Sequence, residues 1–304
     1  MIRQWYPVYR YGVVPPYTDL ISQETSECLT CIRVNNTCHN LTKLFNLQGK
    51  FRNQIVIPQI VVHKKKNILY YSFEARIDDP EYYKVGFVNL NDSKINGVLE
   101  PKPDSKQLFN FGTIAIDEDT GIIYLGGSDG IFQLDTNTYS VTQYSSRGDT
   151  ITSIAYKNNI YFTVYPDNKL KVKKGDRFEE VKGFENEYVN NFIIDQNGVT
   201  YFMGKGGLFA RKGTNDTVHL SDNAFFRGMA IDKNGDLYTW WIDGIYKLHK
   251  HNNWKKSTMI RVAELPSIGA MTFDEDNNFL MTFGKSLYKL QEIDKVHCKI
   301  EDDN

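Results

Sequence analysis

Four aspartates in this 304-residue chain, Asp117, Asp195, Asp232 and Asp274, invite a metal reading, because carboxylates are the hard oxygen ligands that calcium takes. Each is followed within a few residues by Asn, Asp or Gly, where an Asp side chain accepts hydrogen bonds from nearby backbone amides. They recur one per sequence unit, too dispersed for a single ion, so they are expected to lock turns and no metal site is expected. His249-Lys250-His251 puts two imidazoles on one strand face. Two ligands hold zinc only with more, and a solvated edge is expected there. The chain has no Gly-x-Ser-x-Gly elbow and no Gly-x-x-x-x-Gly-Lys loop, the marks of serine-hydrolase and phosphate-cradling chemistry. Lys64-Lys65-Lys66 reads as a solvated basic turn.

Sulfur is the second candidate chemistry. Cys28, Cys31 and Cys38 crowd one end, Cys298 stands near the other, and no cysteine lies between Cys38 and Cys298. Zinc would want a second close pair, and Cys28-x-x-Cys31 lacks the βαβ context of a redox pair. A disulfide from Cys31, or alternatively from Cys28, to Cys298 is expected, joining the two ends of the domain. Four cysteines allow three connectivities, and reduced thiols are the alternative. Asn35, Asn40, Asn91 and Asn215 head N-glycosylation sequons. Together with the cysteines they point to a secreted, extracellular glycoprotein. Residues 1–20 lack the apolar run of about 7 to 15 residues that a secretory signal needs, so that segment alone reads as a cytosolic start.

Composition narrows the field. Hydrophobic residues make up 41% and charged residues 24%, with 36 Lys plus Arg against 37 Asp plus Glu, so disorder is excluded. A net charge of -1 leaves no surplus to neutralise phosphates, and nucleic acid is not an expected partner. The longest nearly unbroken apolar stretch, residues 55–62, is far short of the roughly 20 residues that span a bilayer, so no membrane partner is expected either. Aromatics reach 13%, with 19 Tyr and 18 Phe, residue types that favour strands.

The elements that must position any site come from a repeat. Residues 109–135, 188–209, 225–248 and 267–290 share one grammar, and a fifth copy begins at Thr150. A short apolar strand ends at the Asp, a polar turn follows, an aromatic-bearing strand comes next, and a glycine-containing turn leads to a third strand. Asn-Gly and Asp-Gly supply the positive φ of tight turns. The marker aspartates are 37 residues apart from Asp195 to Asp232 and 42 from Asp232 to Asp274. A degraded copy runs from Pro58 to Leu90 and makes six. Six units of three to four antiparallel strands predict an all-β fold, a six-bladed β-propeller, in preference to two stacked sandwiches. The expected organisation is an N-terminal extension over 1–27, a single propeller over 28–298 and an acidic tail over 299–304. The segment from Leu41 to Phe51 is expected to lend an outer strand to the last blade and close the ring.

In such a ring, ligands meet the loops that enter each first strand and those joining the second and third. Trp241, Phe226, Tyr165 and Phe111 supply flat surfaces there, Arg227, Arg76 and Lys205 supply cations, and Asn191 an amide. This mixture suits a planar acidic small molecule. Alternation along Tyr238-Thr239-Trp240-Trp241 allows one tryptophan to face the channel, and Trp241, nearest the turn, is the expected one.

The string Tyr124-Leu125-Gly126-Gly127-Ser128-Asp129-Gly130-Ile131, the segment from Cys31 to Thr37 and the late Cys298 resemble the insect ommochrome-binding proteins, soluble carriers of ommochrome pigments described from moths. The resemblance spans about residues 28 to 298. It implies a haemolymph carrier of a xanthommatin-like, tryptophan-derived pigment, acting as a monomer, without cofactor and without catalysis. The rival is a calcium-dependent lactonase of the gluconolactonase kind. Residues 188–195 resemble an axial Asn-bearing strand of those enzymes, but Gln59 and Arg227 stand where they carry an axial Glu and Asp. A cation beside the site repels calcium. A protein-interaction propeller is the third reading.

Overall fold

The computed structural model describes residues 31–35, 37–46, 57–74, 83–99, 110–128, 130–138, 140–145 and 149–293. The fold is a six-bladed β-propeller. β1 (Cys31–Val34) and β2 (Thr37–Asn46) come first and belong to the last blade. Blade one is β3 (Gln59–His63), β4 (Ile68–Glu74), β5 (Tyr83–Asn89) and β6 (Asn96–Val98). Blade two follows as β7 (Asn110–Asp117), β8 (Ile122–Gly127), β9 (Gly130–Asp135) and β10 (Ser140–Ser145). The third contains β11 (Thr150–Lys157), β12 (Asn159–Tyr165), β13 (Lys169–Lys174) and β14 (Arg177–Glu180). The fourth holds β15 (Asn191–Ile194), β16 (Val199–Gly204), β17 (Gly207–Lys212) and β18 (Asp216–Ser221). β19 (Gly228–Ile231), β20 (Leu237–Trp241), β21 (Gly244–His249) and β22 (Thr258–Ala263) make the fifth. The sixth adds β23 (Met271–Phe273), β24 (Phe279–Phe283) and β25 (Ser286–Ile293). Among the described residues, no helix is long and apolar enough to cross a membrane.

The ring closes through β2, which pairs antiparallel with β25 from Cys38 opposite Ile293 to Asn46 opposite Ser286. β1 extends the same sheet to five strands, in the order β1-β2-β25-β24-β23. The closing segment is therefore a two-stranded hairpin that begins ten residues earlier than the expected Leu41. The alternation of the apolar residues around Leu41 is the inner end of a strand already started at Thr37. Inner strands β3, β7, β11, β15, β19 and β23 neighbour one another in a complete circle.

Every seam between blades has its own apolar cluster, because each sheet is hydrophobic on both faces and must bury both. Tyr70 of blade one packs with Ile114 and Phe132 of blade two. Tyr124 meets Ile154 and Phe162 across the next seam, and Tyr201 meets Phe226 and Leu237 two seams further on. At the closing seam Leu69 and Tyr71 join Leu280 and Leu287. The tyrosine and phenylalanine excess is mostly this packing.

The marker aspartates are buried at the exit ends of the inner strands and tie the following turns. Asp195 Oδ1 accepts the amides of Asn197 and Val199, both at 2.8 Å. Asp232 Oδ1 accepts those of Asn234 and Asp236, at 2.9 and 2.8 Å. Asp274 Oδ1 takes the amide of Asn278 at 2.8 Å. Gly198, Gly235 and Asn277 close these turns at φ of 77°, 79° and 69°, the left-handed region where Gly and Asn cost least.

Replacing Asp195 by Ala strands the buried Val199 amide and frees the Asn197 amide at the exposed turn, and is expected to cost about 1–3 kcal/mol, read as a lower urea midpoint, while Asp195→Asn, which keeps a carbonyl acceptor, loses less. Acid adds a second test. Burial raises the carboxyls of Asp117 and Asp236, but hydrogen bonds from the Thr120 side chain and the Asp119 amide in one case, and from Lys247 and Lys250 in the other, hold both below the ordinary value. Their stabilisation is therefore complete above about pH 4 and is lost as pH falls through the depressed values, so the urea midpoint should drop below about pH 4.

Candidate functional site

The six inner strands enclose an axial cavity of about 400 Å³, within the usual span of small-molecule sites. Aliphatic side chains such as Val61, Ile114, Ile193 and Met229 line it together with at least as much polar surface. Gln59, Asn191 and Arg227 line it at the mouth where the inner strands begin. Each of the three also bridges two blades. Gln59 Oε1 accepts the Ile114 amide at 2.6 Å, Ser153 Oγ donates to Asn191 Oδ1 at 3.2 Å, and Arg227 Nη1 donates to the Ile268 carbonyl at 2.9 Å. Lys64 and Glu118 sit at the opposite end, where the Lys64 amide donates to the Glu118 carboxylate at 3.0 Å. Burial pushes the Glu118 carboxyl up, against the pull of that amide and of Lys64 and Lys65.

The aromatic surface gathers beside Arg227. Its guanidinium carbon lies 6.0 Å from the centroid of the Trp241 ring, within reach of a cation–π contact. Phe225 lies against the same indole at 5.9 Å and 31°, and is 59% exposed. The neighbouring Ile242 is also exposed. On the next blade Lys205 Nζ stands 5.3 Å from the Tyr188 ring. Tyr165, the last residue of β12, is exposed.

The two tryptophans divide differently from expectation. Trp240 lines the cavity and is buried, donating Nε1–H to the Gly269 carbonyl at 3.2 Å, whereas Trp241 takes the half-buried rim position with Arg227. Strand alternation sends them to opposite faces of the blade, and the Trp240 ring reaches the channel by lying over its cross-strand partner Gly228, which has no side chain in the way. Phe226 is buried in the seam, edge-on to Tyr246 at 5.2 Å, so the expected stacking surface belongs instead to Phe225. The Phe225-Phe226 pair was the available signal, and a period of two makes one of them inward without saying which. Phe111 falls in β7 without a described side chain, and Arg76 lies outside the described residues.

Cys31 is disulfide-bonded and Cys38 is free and buried; Cys28 and Cys298 lie outside the described residues. Asn35 is exposed at the apex of the β1–β2 hairpin, at a φ of 56°. Asn91 and Asn215 are exposed in turns, whereas Asn40 is half-buried within β2.

No family model matches the chain. The chain is similar to the ommochrome-binding protein of Manduca sexta. Identity is 25% over 243 residues, covering 78% of this chain and 84% of that protein. Among solved structures, a gluconolactonase from Xanthomonas campestris superposes with a TM-score of 0.60 at 13% identity, over 88% of this chain and 94% of that one. A virginiamycin B lyase from Staphylococcus aureus gives 0.55 at 12% identity, over 84% and 100%. A Bacteroides thetaiotaomicron protein of unknown function gives 0.59 at 13%, over 84% and 76%. At these identities the structures share the fold.

The mouth depends on one close approach. A Cβ at Gly228 would fall 2.4 Å from the Trp240 ring, so Gly228→Ala must displace the indole or the strand. The expected outcome is a loss of about 1–3 kcal/mol and a changed near-ultraviolet circular dichroism band from the tryptophans.

Proposed function

We propose that this protein is a non-catalytic, secreted carrier that binds an ommochrome-type, tryptophan-derived pigment at the axial face of the propeller. The observation that carries the reading is the mouth itself. A cavity of about 400 Å³ with mixed polar and aliphatic walls opens beside a guanidinium held against an indole. A planar ring stacks on Trp241 and Phe225 while its carboxylate pairs with Arg227, a charge-assisted contact that strengthens as water leaves. Similarity to the Manduca sexta protein supports the same class of ligand. The sequons at Asn35, Asn91 and Asn215 stand on exposed turns, compatible with glycans and with an extracellular setting, and a bridge between Cys31 and Cys298 would join the chain's ends beside the closing strand.

The lactonase alternative meets Arg227 at the mouth and Gln59 and Asn191 already engaged between blades. One fixed cation among neutral amides is a poor calcium site, which takes several anionic or carbonyl oxygens. Titration of the chain with xanthommatin, followed by tryptophan quenching, should saturate, and Arg227→Ala should weaken it roughly tenfold. No quenching at micromolar pigment would sink the carrier reading. Calcium-dependent hydrolysis of a lactone would replace it with the enzyme. A stoichiometric protein partner recovered without pigment uptake would replace it with the interaction propeller.

A further inference from the structure

Three tyrosines run in contact from the axial cavity to the surface, across the seam between the second and third blades. Tyr156, the penultimate residue of β11, lines the axial cavity. Its ring lies on that of Tyr124 in β8, with centroids 5.6 Å apart and planes 14° from parallel. Tyr124 is buried and meets Tyr144 of the outer strand β10 edge-on at 5.5 Å. Tyr144 is 39% exposed. Seam packing needs apolar rings there, and phenylalanine would supply them; three phenols in a row add a side chain that can give up an electron and a proton.

The two ends of the stack differ in charge, and the difference sets a direction. Lys173 Nζ stands 4.7 Å from the Tyr144 ring centroid, so positive charge arriving on Tyr144 is repelled. At the inner end the Tyr156 hydroxyl donates to the Asp117 carboxylate. Asp117 is buried at the exit of β7 and also accepts the Asp119 and Thr120 amides, at 3.0 and 3.4 Å. A phenol that loses an electron becomes a strong acid, and a carboxylate already holding its proton in a hydrogen bond takes that proton with little movement. An oxidising equivalent that enters at Tyr144 is therefore drawn inward past Tyr124 and rests as a neutral radical on Tyr156, at the cavity wall.

We infer that Tyr144, Tyr124 and Tyr156 form an electron conduit between the surface and the axial cavity, through which a one-electron oxidant outside the protein draws an electron from an aromatic ligand inside it. The oxidant, a high-valent metal complex, takes one electron from Tyr144. The hole passes to Tyr156, and the Tyr156 phenolic proton moves to Asp117. A phenol or aromatic amine in the cavity then gives Tyr156 one electron, Asp117 returns the proton, and the ligand releases a proton of its own to water. The ligand is oxidised by one electron, the outer oxidant is reduced by one, and the tyrosines end as they began. The ligand half of this rests on the axial cavity being the pigment site; the conduit itself does not.

The test generates ruthenium(III) tris-bipyridyl by a light flash beside the full chain, with a cobalt(III) ammine as sacrificial acceptor. Tyrosyl radical is followed by its absorption and by electron paramagnetic resonance. The unaltered chain should give a long-lived radical. Tyr156→Phe should abolish it and Tyr144→Phe should remove most of it, whereas Tyr288→Phe, in the sixth blade, should leave it unchanged. Circular dichroism checks each fold, and the surface variant Tyr144→Phe keeps the test decisive if Tyr156→Phe misfolds. Titration with 2-amino-3-hydroxybenzoate, a planar aminophenol carrying a carboxylate, should shorten the radical lifetime along a saturating curve that moves to higher concentration in Arg227→Ala. No long-lived radical in the unaltered chain, its survival in folded Tyr156→Phe, or an unchanged yield in Tyr144→Phe would each overturn the conduit. Decay that rises linearly with the probe, as in bulk encounters, would overturn delivery to the cavity. Failure of xanthommatin to quench while the conduit holds would overturn the pigment reading alone.

Discussion

Closure of the ring is the constraint on which everything else depends. Each blade is apolar on both faces, so it satisfies its hydrophobic surface only between two neighbours, and a row of six would leave two faces in water. Pairing β2 with β25 removes that deficit by building the last blade from both ends of the described chain. Hydrogen bonds along one antiparallel pair thus secure the apolar seams on either side, where Leu69 and Tyr71 meet Leu280 on one flank and Trp240 and Ile245 meet Met271 and Met281 on the other.

The axial cavity follows from the same closure. Six inner strands held in a circle cannot fill their common axis, and their alternating side chains leave a shaft of mixed aliphatic and polar surface. At the mouth the polar residues serve twice. Gln59, Asn191 and Arg227 each hydrogen-bond an adjacent blade, so their positions are set by the ring and not by a flexible loop. That rigidity is what a binding face needs, since little conformational entropy remains to be lost when a ligand arrives.

Much of this was legible before any coordinates. The strand-Asp-turn-strand unit is local, and local hydrogen bonds explain it. Asp195, Asp232 and Asp274 each accept amides no more than four residues away, so spacing alone exposes both the turn and its lock. The count of six blades came from the same periodicity. Arg227 and Asn191 were also legible as mouth residues, because they open inner strands and that position is a matter of counting.

Other assignments turned on contacts between residues remote in sequence. Which of Phe225 and Phe226 is exposed, and which of Trp240 and Trp241 meets the channel, depends on what the neighbouring blade offers. Tyr246 takes Phe226 into the seam, and Gly269 receives the Trp240 indole. The stacking of Tyr156 on Tyr124 joins the inner strand of one blade to the second strand of another and has no sequence signature. By itself, then, the sequence determined the repeated unit, its turns and the number of blades, since these rest on interactions within a few residues. The tertiary structure alone decided which side chains face water, channel or seam, since a period of two leaves each strand two faces and only packing against the next blade distinguishes them.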